Sequence, residues 1–170
     1  MYFSEERKRT AIVTGSGRGI GKETAILLAK KGVNVVICSR TEEQINSVVQ
    51  EIKKEINDDQ DNNNIVIGVK CDVSISSQID CLVKSAINKF GPDSIDILVN
   101  NAGVVFNKKL VDTSEKEWDQ TINTNLKGAF LVTKAVLPYM IARKSGVIIN
   151  VNSGAAKAGF KNLSIILLCK

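Results

Sequence analysis

The sequence predicts an α/β fold: a Rossmann-like, doubly wound parallel sheet in the strand order 3-2-1-4-5. Two patterns carry that expectation. Five short apolar runs alternate with stretches of helical periodicity, and the runs are apolar on both faces, as strands covered by helices on each side must be. The glycines and polar clusters gather just beyond the carboxyl ends of those runs, where such sheets bind ligands. A length of 170 residues predicts a single domain, 1–170, large enough to bury a core without disulfides or metals.

Taken in order, Thr10–Thr14 reads as a buried strand closed by Gly15, and 19–31 as the helix behind it. A second strand spans 33–38. Ile45, Val48, Val49, Ile52 and Ile56 then fall on one helical face, followed by a polar loop over 57–64. Strand 65–70 comes next. Ile79, Leu82, Val83, Ala86, Ile87 and Phe90 form another helical stripe, stopped by Gly91-Pro92. Strand 95–99 leads to one long helix over about 114–143, with Pro138 expected to kink it. Ser114 is its expected N-cap, because Glu117 stands three residues on as a capping box requires. A fifth strand spans 147–151.

Composition narrows the function classes. Hydrophobic residues at 44% and charged residues at 24% exclude disordered and low-complexity chains. The apolar stretch over 128–142 contains Lys134 and Pro138, so no membrane span is expected. The charged N-terminus has no apolar run behind it, which predicts a cytoplasmic protein rather than a secreted one. Histidine is absent, which removes His-based triads and most zinc sites; no metal is expected. Cys38, Cys71, Cys81 and Cys169 form no C-x-x-C pair and read as small buried hydrophobes. The net charge of +5 with 5% aromatic residues suits a small anionic cofactor better than nucleic acid.

The motifs stand at the strand ends. Gly15-Ser16-Gly17-Arg18-Gly19-Ile20-Gly21 lies between a strand and a helix, so its backbone can approach a pyrophosphate at the helix N-terminus. At the end of the second strand an acidic residue would hold a ribose hydroxyl; here Ser39-Arg40 stands instead. A guanidinium suits a 2′-phosphate, and Arg18 can flank it. NADP(H) is therefore expected in preference to NAD(H). Asp72-Val73 follows the third strand, where Asp72 reads equally as an adenine acceptor or a turn residue. Asn100-Asn101-Ala102-Gly103 suits a loop that ties strands together and lets a cofactor lie close.

With Asn125 in Thr124-Asn125-Leu126-Lys127-Gly128, and Ser153 ending Ile148-Ile149-Asn150-Val151-Asn152-Ser153, these motifs resemble the short-chain dehydrogenase/reductase family. The look is similar to 3-oxoacyl-carrier-protein reductases. The resemblance implies hydride transfer between a nicotinamide and a carbonyl or alcohol substrate, acyl thioesters included. It also implies an Asn-Ser-Tyr-Lys set in which Tyr is the acid/base. Asn125 and Ser153 match the Asn and Ser, whose plainer readings are a helix polar residue and a strand-end cap. Thirteen residues beyond Ser153 stands Ile166 where the family has Tyr, and Lys170 takes the Lys position. Tyr2 and Tyr139, the two tyrosines, precede the first strand and the fifth respectively.

The chain therefore reads as C-terminally truncated, lacking the family's last strands and with its fifth strand as an open edge. The resemblance implies a homo-oligomer for the full-length family, an assembly this chain is not expected to keep. A family turn spelled Tyr-Cys-Ala-Ser-Lys, read one frame over, can give Leu-Cys-Lys-stop, the last three residues here. A frameshift thus stands beside a short natural form or a deliberate fragment. The alternative function is a dinucleotide-binding or interaction module without turnover.

Overall fold

A computed structural model describes residues 7–57, 65–154, 158 and 161–162 of the chain. Five parallel strands, β1 (Thr10–Thr14), β2 (Asn34–Ser39), β3 (Val66–Lys70), β4 (Ile95–Asn100) and β5 (Val147–Asn150), form one sheet in the order β3-β2-β1-β4-β5. This is the expected topology. The helices are α1 (Gly19–Lys30), α2 (Glu42–Asn57), α3 (Ser76–Phe90), α4 (Glu115–Thr121) and α5 (Ala129–Arg143).

Strand periodicity divides the core in two. Along β1 and β2 the residues Ile12, Val36 and Cys38 point to one side, with Leu82, Ala86, Val132 and Val136 of α3 and α5. Val13, Val35 and Ile37 point to the other, with Ala25, Ile26, Ala29, Val48 and Ile52 of α1 and α2. Successive side chains alternate across a strand, so both faces need a helical cover. The central strand meets that condition fully: β1 is buried throughout.

The edge strands correct the expectation of apolar burial on both faces. Val66 is buried in β3, but Ile67 and Val69 are only half-buried and Gly68 and Lys70 are exposed. Val147 and Ile149 of β5 are 54% and 46% exposed. Cys81 is a second correction: it lies on the outer side of α3 and faces solvent, whereas Cys38 and Cys71 are buried as expected. Cys169 lies outside the described residues.

The amino end of the sheet is tied by charge. Pairing of β1 with β4 skips Asp96, whose carboxylate accepts from Thr10 N at 2.8 Å and pairs with Arg7 and Arg143 at 2.7 and 3.2 Å. Arg143 also donates to the Ile95 and Ser145 carbonyls.

The expected long helix is interrupted. Between α4 and α5, residues Ile122–Gly128 form a π-helical turn, a widening that often marks functional sites. It carries Asn125, whose amide clasps the backbone of Val104 in the loop after β4: Val104 N donates to Oδ1, and Nδ2 donates to Val104 O, each at 2.8 Å. Periodicity could not show this turn, because its apolar spacing blends into the helices on either side. The helical backbone then continues through Pro138 to Arg143.

The capping box at α4 is present as expected. Glu117 accepts from Lys108 Nζ at 2.6 Å and from Ser114 N and Oγ at 3.0 and 2.9 Å. The Lys108 ammonium first, and then the Ser114 donors, hold the Glu117 carboxyl at about 2 against an ordinary 4.5. A depressed folded-state value means that the contribution is complete above pH 4.5 and is lost as pH falls toward 2. Unfolding measured through that window should therefore lose less stability in Glu117→Gln than in the parent; equal slopes in both would exclude this carboxylate as a source of the acid sensitivity.

Candidate functional site

A cleft of about 530 Å³ opens beyond the carboxyl ends of β1, β2, β3 and β4. Its walls come from Gly15 and Gly17–Ile20 after β1, Ser39–Thr41 with Gln44 after β2, Cys71–Val73 after β3, and Asn101–Val104 after β4, with Thr124 from the π-helical turn. Four separate loops thus converge because parallel strands deliver their carboxyl ends to the same edge.

The first loop is held by Thr14 and Asn101. Thr14 Oγ1 donates to Val99 O at 3.2 Å and accepts from Asn101 N and Ala102 N at 3.0 and 3.1 Å. Asn101 Nδ2 returns to Thr14 O and Gly15 O at 2.9 and 3.2 Å. The loops after β1 and β4 become one rigid unit, the tie that the paired amides predicted. Gly15 has φ +64°, and a Cβ there would sit 2.7 Å from Ala102 Cα. At Gly21 a Cβ would lie 2.3 Å from Asn101 Nδ2 and 2.6 Å from Gly15 O.

Gly21→Ala should therefore push Asn101 off the loop. Overpacking of this kind costs about 1–3 kcal/mol, so a lowered thermal midpoint is expected in a melt of the variant beside the parent. An unchanged midpoint would mean that the loop yields freely and that the tie is not rigid.

Ser16 and Gly21 stand behind the wall. Ser16 is fully buried; its Oγ donates to Val13 O at 2.7 Å and accepts from Cys38 N at 2.9 Å, while its own N–H donates to Cys38 O at 3.0 Å. Their work is to set the loop's path. Arg18 occupies the N-cap position of α1 in extended conformation and makes no side-chain cap. The first-turn amides of α1 consequently lack the side-chain acceptor that Ser114 gives α4, and such amides suit an anion. Arg18 and Arg40 both line the cleft, so the structure brings the two guanidinium groups into one site.

Asp72 realises its turn reading: Oδ1 accepts from Ser74 N and Oγ at 2.9 and 2.7 Å. It also faces the cleft beside Val73. Sequence reasoning missed Thr41, Gln44, Cys71, Val104 and Thr124 as lining residues. Ser39 Oγ donates to Gln44 Oε1 at 3.2 Å and accepts from Thr41 N at 3.3 Å. Only adjacency to Ser39-Arg40 and to Asp72 could have pointed to Thr41 and Cys71.

A second, apolar groove of about 540 Å³ runs between α5 and β5, with Leu126, Phe130, Leu137 and Ile141 on its walls. Ala102 borders both hollows. Asn125 lines this groove and is itself buried. Ser153 follows β5 by three residues at the carboxyl edge of the sheet. Tyr139, on α5, is half-buried against the core. Lys170 and Ile166 lie outside the described residues. Among the described residues, no helix is long and apolar enough to cross a membrane.

Comparison with known proteins agrees with this geometry. A family model described as short chain dehydrogenase matches residues 9–165. The chain is 40% identical over 153 residues to a hydroxy(phenyl)methylsuccinyl-CoA dehydrogenase subunit of Thauera aromatica, covering 90% of this chain and 58% of that protein. It is 36% identical over 152 residues to a 3-oxoacyl-(acyl-carrier-protein) reductase of Staphylococcus aureus, covering 89% and 58%. Among solved structures it is similar to a metagenomic short-chain oxidoreductase in complex with NADP, at TM-score 0.85 and 34% identity, covering 95% of this chain and 70% of that one. An actinorhodin polyketide ketoreductase variant with NADPH gives TM-score 0.87 and 31% identity, covering 98% and 61%. The chain spans 58% of the length of each of the first two relatives.

Proposed function

The chain belongs to the short-chain dehydrogenase family, and from that premise we propose that its cleft binds NADP(H) in preference to NAD(H), in a protein built for hydride exchange with a carbonyl or alcohol substrate. The carrying observation is the pair of guanidinium groups, Arg18 and Arg40, in one cleft whose β2 end bears Ser39-Arg40 where a carboxylate would favour NAD. A dianionic 2′-phosphate gains charge-assisted hydrogen bonds from such groups. The uncapped first turn of α1 suits the pyrophosphate, and the pinned loops at Gly15 and Ala102 let a dinucleotide lie against backbone. Bound NADPH supplies the hydride. Asn125 fixes the loop at Val104, and by the family resemblance Ser153 would orient a substrate oxygen beyond β5. Solved relatives that carry NADP or NADPH support the same cofactor.

Titration of the chain with NADPH and with NADH, followed by nicotinamide fluorescence, tests this reading. Tighter binding of NADPH is expected; equal affinities would overturn the preference, and no binding of either would overturn the site. One observation favours a second reading, a dinucleotide-binding module without turnover: Ile166 stands at the position that the family gives to its acid/base Tyr.

A further inference from the structure

Gln44 lines the cleft but has no part in the reading above. It meets Ser39 where the loop after β1 touches the loop after β2. Ser39 Oγ donates to Gln44 Oε1 at 3.2 Å and accepts from Thr41 N at 3.3 Å. A Cβ added at Gly17 would lie 2.8 Å from both Gln44 Oε1 and Ser39 Oγ. The missing side chain of Gly17 is thus the room in which the pair sits. Arg18 and Arg40, the neighbours of Gly17 and Ser39 in the chain, line the same cleft.

The sequence offers Gln44 a plainer task. Thr41-Glu42-Glu43-Gln44 is the T-x-x-Q pattern of a capping box at the start of α2, and Thr41 O accepts the first bond of that helix from Ile45 N. In such a box the Gln side chain reaches back to the N-cap N–H. The structure does otherwise. Thr41 N donates to Ser39 Oγ, and the Ser39 hydroxyl donates in turn to Gln44 Oε1. The box is closed through a hydroxyl, and the carbonyl end of the amide is taken up by it. The Nε2 end, with two N–H donors, has no hydrogen-bond partner among the described residues. Gln44 is half-buried, so an amide with donors to offer belongs to the wall that carries Arg18 and Arg40.

We propose that Gln44 is a specificity-determining residue: its Nε2 donates to the 2′-phosphate of NADP(H), beside Arg18 and Arg40, while its Oε1 holds the Ser39 hydroxyl. This rests on the cofactor reading above. The amide is neutral, so it adds a hydrogen bond to the anion without setting a third cation beside two guanidinium groups. A carboxylate in its place would still accept from Ser39 Oγ and close the box, and it suits the first turn of a helix. It would offer the phosphate no donor, however, and would repel a dianion. Cap and phosphate contact therefore respond in opposite directions to one isosteric change.

Calorimetric titration of the full chain with 2′,5′-ADP and with 5′-AMP separates the two roles, because the probes differ by the 2′-phosphate alone. The parent should bind 2′,5′-ADP more tightly. In Gln44→Glu that probe should lose about tenfold in affinity, 5′-AMP should not weaken, and the melting midpoint should hold or rise. Glu43→Gln changes the charge by the same amount one residue away, at an exposed position outside the cleft lining, and should alter the ratio of affinities less than about twofold. An unchanged ratio in Gln44→Glu overturns the assignment and leaves Arg18 and Arg40 as the readers of the phosphate. Equal loss of both probes overturns it too, since the effect would then lie in the loop. So does a shift of equal size and opposite sign in Glu43→Gln, which would mark a general field. Should Gln44→Glu fail to fold, Gln44→Met, of similar length and without a donor, must weaken 2′,5′-ADP severalfold or the assignment falls. Equal affinities of the parent for the two probes overturn the cofactor preference itself, and this assignment with it.

Discussion

Saturated with NADPH, the 170-residue chain is expected to reduce a simple ketone about 10²- to 10⁴-fold more slowly than a relative with the Tyr in place, the range that a positioned general acid contributes. The alkyl side chain of Ile166 can neither give nor take a proton. Tyr139 is no replacement by position, since it lies on α5, before β5, half-buried against the core. Ser153 and Asn125 could still orient a carbonyl, but the relay would have no terminal acid. Ile166→Tyr alone should restore little, because a lone phenol lacks the positioning that lowers its pKa. A chimera carrying the segment beyond Ser153 from a similar reductase should recover turnover, and Ser153→Ala in that chimera should then remove most of it. Family-like rates in steady-state assays of the unaltered chain would sink this prediction and favour an acid outside the Tyr position.

Arg40→Asp is expected to reverse the cofactor order. A charge-assisted hydrogen bond contributes about 1.5–3 kcal/mol, which is roughly tenfold to a hundredfold in affinity. Arg40 is exposed in the free chain, where solvent screens its charge, so the lower end applies. The introduced carboxylate adds repulsion toward a 2′-phosphate and an acceptor for a ribose hydroxyl. NADPH should bind about tenfold more weakly and NADH should gain, both read in the same fluorescence titration. A variant that keeps the parental preference would place the discrimination elsewhere, with Arg18 the next guanidinium to change.

The regular parts of the fold were legible because their causes are local. Ile45, Val48, Ile52 and Ile56 are all buried against the sheet, as a helical stripe must be. The topology followed because parallel strands joined by helices leave few allowed connections. Ser114 and Glu117 announced the capping box because both partners lie within one turn. What misled was also physical. Cys81 shares its residue type with Cys38, yet lies on the outer side of an amphipathic helix, and composition alone carries no facing.

By itself, then, the sequence determined the strand order, the edge of the sheet that bears the loops, and the residue types offered there: glycines for close approach, arginines for an anion, amides for ties. These depend on periodicity and on neighbours a few positions away. Tertiary structure alone decided which offers meet. It turned Ser16 into the core and left Arg18 and Arg40 on one cleft. It opened the helix at Ile122–Gly128 so that Asn125 could clasp Val104, and it put Cys38 and Cys71 into one core cluster. Those groupings join residues 21 to 33 positions apart, and no local pattern encodes them, because each depends on how two separately formed elements come to rest on the same sheet.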